Sequence, residues 1–219
     1  MRAREAGLPV VRRAEALGEV TCGRELVAIA GTHGKTTTTV MAAEGVTSAN
    51  RNPTALVGGR VGAWEGNLRS GGDALYVVEA DEYDRSFLAL SPTVAVVTNI
   101  EADHLDVYTD LADIRAAFAR FVSGARTIVL CADAPGAAAL RTPTGTEVVR
   151  YAIESGGRDD AARDSRLVAR EVRMSKEGGG SSFTVVFDDE PLGEISLQVP
   201  GRHNVLNALG ALASGLALG

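Results

Sequence analysis

Residues 26–45 read LVAIAGTHGKTTTTVMAAEG and place Lys35 and Thr36 directly behind a turn that contains Gly31 and Gly34. The apolar run before the turn reads as a buried strand, and the run after it as a helix. Such a turn exposes backbone N–H groups, and the helix aims its positive dipole end at an anion. An ammonium at Lys35 could then reach the β- and γ-phosphates of a nucleotide, and the Thr36 hydroxyl could coordinate Mg²⁺. The spacing is shorter than the usual G-x-x-x-x-G-K-[ST] loop. Ile29 stands where the first glycine of that loop belongs, and Gly31 comes two residues late. Only two of the 22 basic residues are lysines, Lys35 and Lys176, the other twenty being arginine. A compact ammonium suits a crowded phosphate site better than a planar guanidinium does.

Three further stretches carry chemistry. YVVEADEYDRSF runs an apolar strand into Glu79, Asp81, Glu82 and Asp84, four carboxylates within six residues. The C-terminal edge of an open α/β sheet is where ligands bind, and Mg²⁺ takes one or two carboxylates beside phosphate oxygens and water. One or two of the four are therefore expected to reach a metal. VVTNIEADHLD likewise opens a strand into Asn99, Glu101, Asp103, His104 and Asp106. Histidine is an uncommon magnesium ligand, so His104 reads equally as a site residue or as a hydrogen-bonded surface residue. In PGRHNVLNA, Asn204 and Asn207 fall three apart on one helical face beside His203. Their amides could read an adenine edge, although helix capping by Asn204 is the simpler account of the residues alone. The chain's three histidines, His33, His104 and His203, each lie in one of these stretches.

The elements that must position these groups alternate strand and helix. ELVAIAG, PTALVGG, DALYVVEAD, TVAVVTNI and ARTIVLCAD read as buried strands. KTTTTVMAAEGV, DLADIRAAFARFV and APGAAALR read as helices, with Leu111, Ile114, Phe118, Phe121 and Val122 on one face of the second. This order predicts an α/β fold with a mostly parallel sheet and helices on both faces. Gly45 weakens the first helix and predicts an early end. GGRVGAWEGNLRSGG reads as a glycine-rich loop, and GLPVV as a possible short strand followed by a helical turn or two. After residue 145 the pattern changes. A polar loop, GGRDDAARDSR, precedes LVAREVRMS, SSFTVVFDD and GEISLQVP, which alternate apolar and polar residues between turn signals such as KEGGG and DDEPLG. These predict antiparallel strands at one edge of the sheet.

A length of 219 residues fits one substantial α/β domain, or one domain with a small appendage. The formal charge of −6 argues against a general nucleic-acid binder. No apolar run is long enough to span a bilayer, so membrane insertion is not expected, and the N-terminus lacks the apolar centre of a signal peptide. Cys22 and Cys131 are far apart and form no C-x-x-C pair. Buried thiols in a reducing, cytoplasmic setting are the expectation.

In order, GTHGKTTTT, EADEYDRSFL, TNIEADHLD and PGRHNVLNALGALA resemble the central ATP-binding domain of the Mur ligase family across residues 25 to 219. Within that family the motifs lie nearest the members that add L-alanine to UDP-N-acetylmuramate. The shortened loop is that family's standard form, and the fold implied is P-loop NTPase-like. The resemblance implies that Gly31, Thr32, His33, Gly34, Lys35, Thr36 and Thr37 wrap the ATP phosphates. It implies that Thr36 and Glu79 hold magnesium, and that His104 with Glu79 holds a second magnesium beside the acceptor carboxylate. Asn67 matches a polar residue near the reacting groups, while His203, Asn204 and Asn207 match the adenine pocket. Lys35, Glu79 and His104 would thus carry the chemistry, with ATP and Mg²⁺ as cofactors.

The implied reaction is amide formation through an acyl phosphate, in peptidoglycan precursor synthesis. Some relatives also use a carbamylated lysine. Here only Lys176 remains, in the antiparallel region, so Glu79 and His104 are expected to hold the metal without one. Residues 1–24 read as the exit from an upstream UDP-sugar-binding domain. The family's C-terminal domain is expected to be missing, which would leave the chain without ligase activity alone. A ligase that recycles murein tripeptide, or a non-catalytic nucleotide-binding module, would share much of this pattern.

Overall fold

The computed structural model describes residues 6–104, 106–157, 161–175 and 179–219. Lys176, with the start of the KEGGG turn, and residues 158–160 of the polar loop lie outside them. The described strands form one ten-stranded sheet in the order β10 (Glu190–Leu197), β9 (Ser181–Phe187), β8 (Leu167–Met174), β7 (Glu147–Ile153), β6 (Thr127–Cys131), β5 (Val94–Val97), β1 (Glu25–Ala30), β4 (Leu75–Glu79), β2 (Thr54–Val61) and β3 (Gly66–Arg69). Strand β1 (Glu25–Ala30) lies between β4 (Leu75–Glu79) and β5 (Val94–Val97), parallel to both. Its C-terminal end is therefore a topological switch point, where loops leave toward opposite sides and open a crevice.

Alternation along β1 explains the two cores. Val27 and Ile29 join the face covered by α2 (Lys35–Ser48) and α5 (Arg202–Leu216), through Ala42, Ala43, Val46, Val205 and Leu209. Leu26, Ala28 and Ala30 join the opposite face, where α3 (Leu111–Val122) inserts Ile114, Phe118, Phe121 and Val122. Helix α3 starts where Asp110 accepts the Asp113 N–H at 2.8 Å, a side-chain N-cap. Both helical faces anticipated from the sequence are present.

Beyond β5 the sheet continues in parallel through β6 (Thr127–Cys131), β7 (Glu147–Ile153) and β8 (Leu167–Met174), with the short helix α4 (Pro135–Ala138) between β6 and β7. Strands β9 (Ser181–Phe187) and β10 (Glu190–Leu197) then extend it antiparallel. The β9–β10 turn is two residues, Asp188 and Asp189, at φ 48° and 66°. Two consecutive left-handed residues match the strand twist of a tight hairpin.

Five local expectations change. Of the two thiols expected to be buried, Cys131 is buried but Cys22 is exposed. Strand β7 was not recognised in the sequence, although Val149, Tyr151 and Ile153 are buried on it; β8 is in turn parallel to β7 and antiparallel only to β9. GLPVV forms no strand, and Leu8, Val10 and Val11 remain exposed. Helix α2 runs through Gly45 to Ser48, because Ala42, Ala43 and Val46 are packed while Gly45 lies on the exposed face, where a Cβ would meet open space. The glycine-rich stretch is a hairpin, in which β2 (Thr54–Val61) turns through Gly62–Trp64 into β3 (Gly66–Arg69). Helix α1 (Arg13–Thr21) also docks closely on the rest: a Cβ at Gly18 would strike the backbone carbonyl of Ala89.

Candidate functional site

Two glycines shape the loop between β1 and α2. Gly31 has φ 140° and Gly34 φ 82°, conformations that L side chains rarely adopt. A Cβ at Gly31 would strike Thr98 Oγ1, and one at Gly34 would strike Asn207 Oδ1. The late glycine is thus required by the close approach of β5, and the second by α5. Strand β5's exit also braces the loop. The His33 N–H donates to Asn99 Oδ1 at 2.9 Å, and Thr98 Oγ1 donates to the His33 carbonyl at 2.7 Å. The Glu101 N–H donates to Thr32 Oγ1 at 3.0 Å. Asn99 and Glu101, singled out in the sequence for their charge and polarity, therefore act here partly as supports.

Lys35 turns back over its own loop, donating from Nζ to the Gly31 carbonyl at 2.8 Å. It also meets Glu82, with Nζ 3.0 Å from Oε2, and the two side chains are only 14% and 4% exposed. Thr36 Oγ1 donates to Glu79 Oε2 at 2.8 Å, and the Gly58 N–H donates to the same oxygen at 2.7 Å. A hydroxyl and a carboxylate oxygen thus meet beside the loop that would present phosphate. Hard oxygen donors of this kind fit Mg²⁺, which would complete its shell with phosphate oxygens and water. No group of three or more His, Cys, Asp or Glu able to hold a metal occurs among the described residues. His104, at φ 52°, faces Glu82 Oε1 and Asp103 Oδ2, each 3.8 Å from Nε2, and packs edge-on against Tyr83 at 5.2 Å.

The other side of the loop opens into a cleft of about 360 Å³ whose lining includes His33, Gly34, Cys131, Tyr151, His203 and Asn207. His203 is exposed at its rim, and Asn207 is buried. Asn207 Oδ1 accepts from Thr38 Oγ1 at 3.3 Å, tying α5 to α2. Asn204 donates from Nδ2 to the Pro200 carbonyl at 2.7 Å and accepts from Asn207 Nδ2 at 3.4 Å. It braces the start of the helix from inside, since the N-cap is Gly201. Burial, with the charge of Asp133 adding to it, pushes the Cys131 thiol up to about 11. Burial holds the Tyr151 phenol well above its ordinary range. Both floor groups therefore stay protonated near neutral pH. Asn67 is exposed on β3 and donates from Nδ2 to the Val57 carbonyl at 3.3 Å, across its own hairpin.

The pairing of Glu82 with Lys35 and the Gly58 bond to Glu79 had no sequence signal beyond an acidic cluster and a glycine run. Tyr108 anchors that acidic turn, donating from Oη to the Glu82 carbonyl at 2.6 Å. Its own phenol is pushed up to about 12, mainly by burial.

Residues 29–215 match the family described as Mur ligase middle domain. The UDP-N-acetylmuramate–L-alanine ligase of Acidothermus cellulolyticus is 45% identical over 99% of this chain and 45% of its own length. The like-named protein of Solidesulfovibrio magneticus is 43% identical over 99% of this chain and 46% of its own. The chain thus spans about half the length of these relatives. Among solved structures, UDP-N-acetylmuramate-alanine ligase MurC from Thermotoga maritima superposes with a TM-score of 0.81 at 28% identity, over 99% of this chain and 47% of that one. UDP-N-acetylmuramate:L-alanyl-gamma-D-glutamyl-meso-diaminopimelate ligase from Neisseria meningitides gives 0.78 at 27%, over 100% and 69%. With residues 29–215 matching the family model and relatives 45% and 43% identical over 99% of its length, the chain belongs to the Mur ligase family, as a middle domain.

Proposed function

We propose that this chain is the ATP-binding part of an amide ligase that joins L-alanine to UDP-N-acetylmuramate in peptidoglycan precursor synthesis. The observation that carries the reading is the meeting of Thr36 Oγ1 and Glu79 Oε2 at 2.8 Å beside the lysine of a glycine-shaped loop. The amine is assigned from the relatives named for alanine, at 45% and 43% identity.

In this reading the backbone N–H groups of the loop from Gly31 to Thr37 receive the triphosphate, and Lys35 neutralises charge on the transferred group. Thr36 and Glu79 hold Mg²⁺, with His104 and Glu79 serving a second ion. Bound magnesium supplies charge neutralisation at the transferred phosphoryl group. His203 and Asn207 take the adenine, Asn204 steadies that pair, and Asn67 stands on the hairpin beside the reacting groups. The acceptor carboxylate attacks the γ-phosphorus, releasing ADP and forming an acyl phosphate. The alanine amine then attacks the carbonyl, and phosphate leaves. Phosphoryl transfer depends on positioning and charge more than on covalent help, which fits a site built from a lysine, oxygen ligands and amides.

A cleft of about 580 Å³ lined by Arg12, Arg13, Glu79, Asp81 and Arg85 offers the acceptor a route to Glu79. Among the described residues no helix is long and apolar enough to cross a membrane. A cytoplasmic setting, an upstream UDP-sugar-binding domain entered through residues 1–24 and a C-terminal domain for the amine belong to the same proposal. The chain alone is then expected to bind Mg-ATP without ligating. Calorimetric titration of Mg-ATP into the chain and into Lys35→Ala tests the site. Loss of affinity by about a hundredfold is expected, since one charged contact to phosphate in a half-buried site is worth roughly 2–3 kcal/mol. Equal binding by both proteins refutes it.

A further inference from the structure

Glu82 is nearly fully buried, with its side chain 4% exposed, and it faces two groups assigned to the proposed reaction. Lys35 Nζ donates to Oε1 at 3.1 Å. Its second approach, 3.0 Å to Oε2, is poorly directed, and Oε2 is the one buried side-chain oxygen among the described residues with no hydrogen bond. On the other side, His104 Nε2 stands 3.8 Å from Oε1. The backbone beneath is fixed, because the Glu82 carbonyl accepts from Tyr108 at 2.6 Å and the Asp81 carbonyl accepts from the Phe87 N–H at 2.9 Å. Above that backbone, Lys35 supplies the hydrogen bond that holds the Glu82 side chain.

A buried carboxylate oxygen without a donor is costly. If Glu82 served only to neutralise Lys35, its second oxygen would gain from a donor, and none is supplied. The Lys35 ammonium is also the group that a nucleotide phosphate needs, and two anions cannot share it closely without repelling each other. We propose that Glu82 is an internal competitor for Lys35: it holds the ammonium in place over the loop, yields it to an arriving phosphate, and swings toward His104. This rests on the nucleotide reading above and adds a positioning residue to it. The device would keep the lysine pre-aimed over the loop, and would pass the arrival of phosphate on to the histidine beside the acceptor.

The scarcity of lysine makes this directly observable. In protein carrying ¹³Cε-lysine only Lys35 and Lys176 give signals, and Lys176→Arg assigns them. Adenylyl imidodiphosphate with Mg²⁺ serves as the probe, and Glu82→Gln and Glu82→Met remove the charge at similar volume. Without nucleotide, the Lys35 resonance of either variant is expected to differ from wild type. With nucleotide, that difference should shrink by at least half, and both variants should bind the probe about three- to tenfold more tightly than wild type. Two uncharged variants guard against one failing to fold, with thermal melting as the check. An unchanged Lys35 resonance in the variants, or affinity equal to or weaker than wild type, overturns the proposal while leaving the nucleotide site standing. Failure of the wild-type chain to bind the probe overturns both.

Discussion

At the parallel centre of the sheet, Lys35 and Glu82 meet with side chains 14% and 4% exposed. At the antiparallel end, Arg166 meets Asp188 at 2.6 Å with side chains 38% and 47% exposed, and Glu147 at 3.0 Å with the latter 56% exposed. Both pair a cation with carboxylates, through one hydrogen bond from Lys35 and through a two-pronged fork from Arg166 to Asp188. They differ in where strand direction sends the chain. Parallel strands β1, β4 and β5 all deliver their C-terminal loops to one edge, so polar residues from three loops converge and shield one another. The β9–β10 hairpin reverses direction, so its polar residues stay on the sheet's surface. There Arg166 lies over the Phe187 ring at 4.8 Å and shields apolar surface while staying solvated. The guanidinium holds the Asp188 carboxyl below its usual range, yet an exposed pair of this kind adds little stability.

The contrast can be broken first at the core. Phe118 on α3 and Phe183 on β9 are both about fully buried, at 0% and 1% exposure. Each change to alanine is expected to cost about 3–5 kcal/mol in denaturant unfolding. A loss below about 1 kcal/mol for Phe183→Ala alone would show that the antiparallel end folds apart from the site.

The next effect is a pH dependence seated at the floor of the cleft. The Cys131 thiol is raised from 9.0 to about 11 by burial, so its contribution is complete below the unfolded value and lost as pH rises through the folded one. Stability should fall by on the order of 2 kcal/mol across that window. Cys131→Ala should make the fall smaller, the raised Tyr108 and Tyr151 phenols keeping their share of it, and a slope identical to wild type would contradict the assignment.

Gly34→Ala sharpens the comparison at the loop. With φ at 82° and Asn207 in the way, about 1–2 kcal/mol of stability should be lost, together with nucleotide affinity. An alanine variant that melts and binds like wild type would remove the case for a glycine-built site. Smallest is Arg166→Ala, expected to change unfolding by at most about 1 kcal/mol and nucleotide binding not at all. A measurable loss of binding there would join the two regions.

Much of the fold is visible in residue pattern because burial leaves a periodic record. The run ELVAIA reads as a strand covered on both faces, and α3 shows its apolar stripe at Ile114, Phe118 and Phe121. Strand β7 escaped notice because its apolar residues, Val149, Tyr151 and Ile153, are interrupted by Arg150 and follow a turn-rich stretch. The glycines of β2 and β3 hid a hairpin, since pairing there is made by backbone bonds and not by side-chain pattern. The candidate site divides the same way. Lys35 and Thr36 stood out by type and spacing and Asn99 as part of a polar strand end, Glu79 and Asn207 were singled out only by the family resemblance, and the supports from Thr98 and Gly58 gave no signal.

Sequence alone determined the loop's chemistry: a rare lysine, a hydroxyl next to it, two glycines and acidic strand ends. These depend on residue type and local spacing, which a linear pattern records. Only the tertiary structure decided which partner each carboxylate meets. Glu79 and Glu82 are three residues apart and chemically alike, yet one meets Thr36 and the other Lys35. That division follows from β4 ending at Glu79 and the chain turning sharply, held by Tyr108, so that each carboxylate faces a different part of the loop.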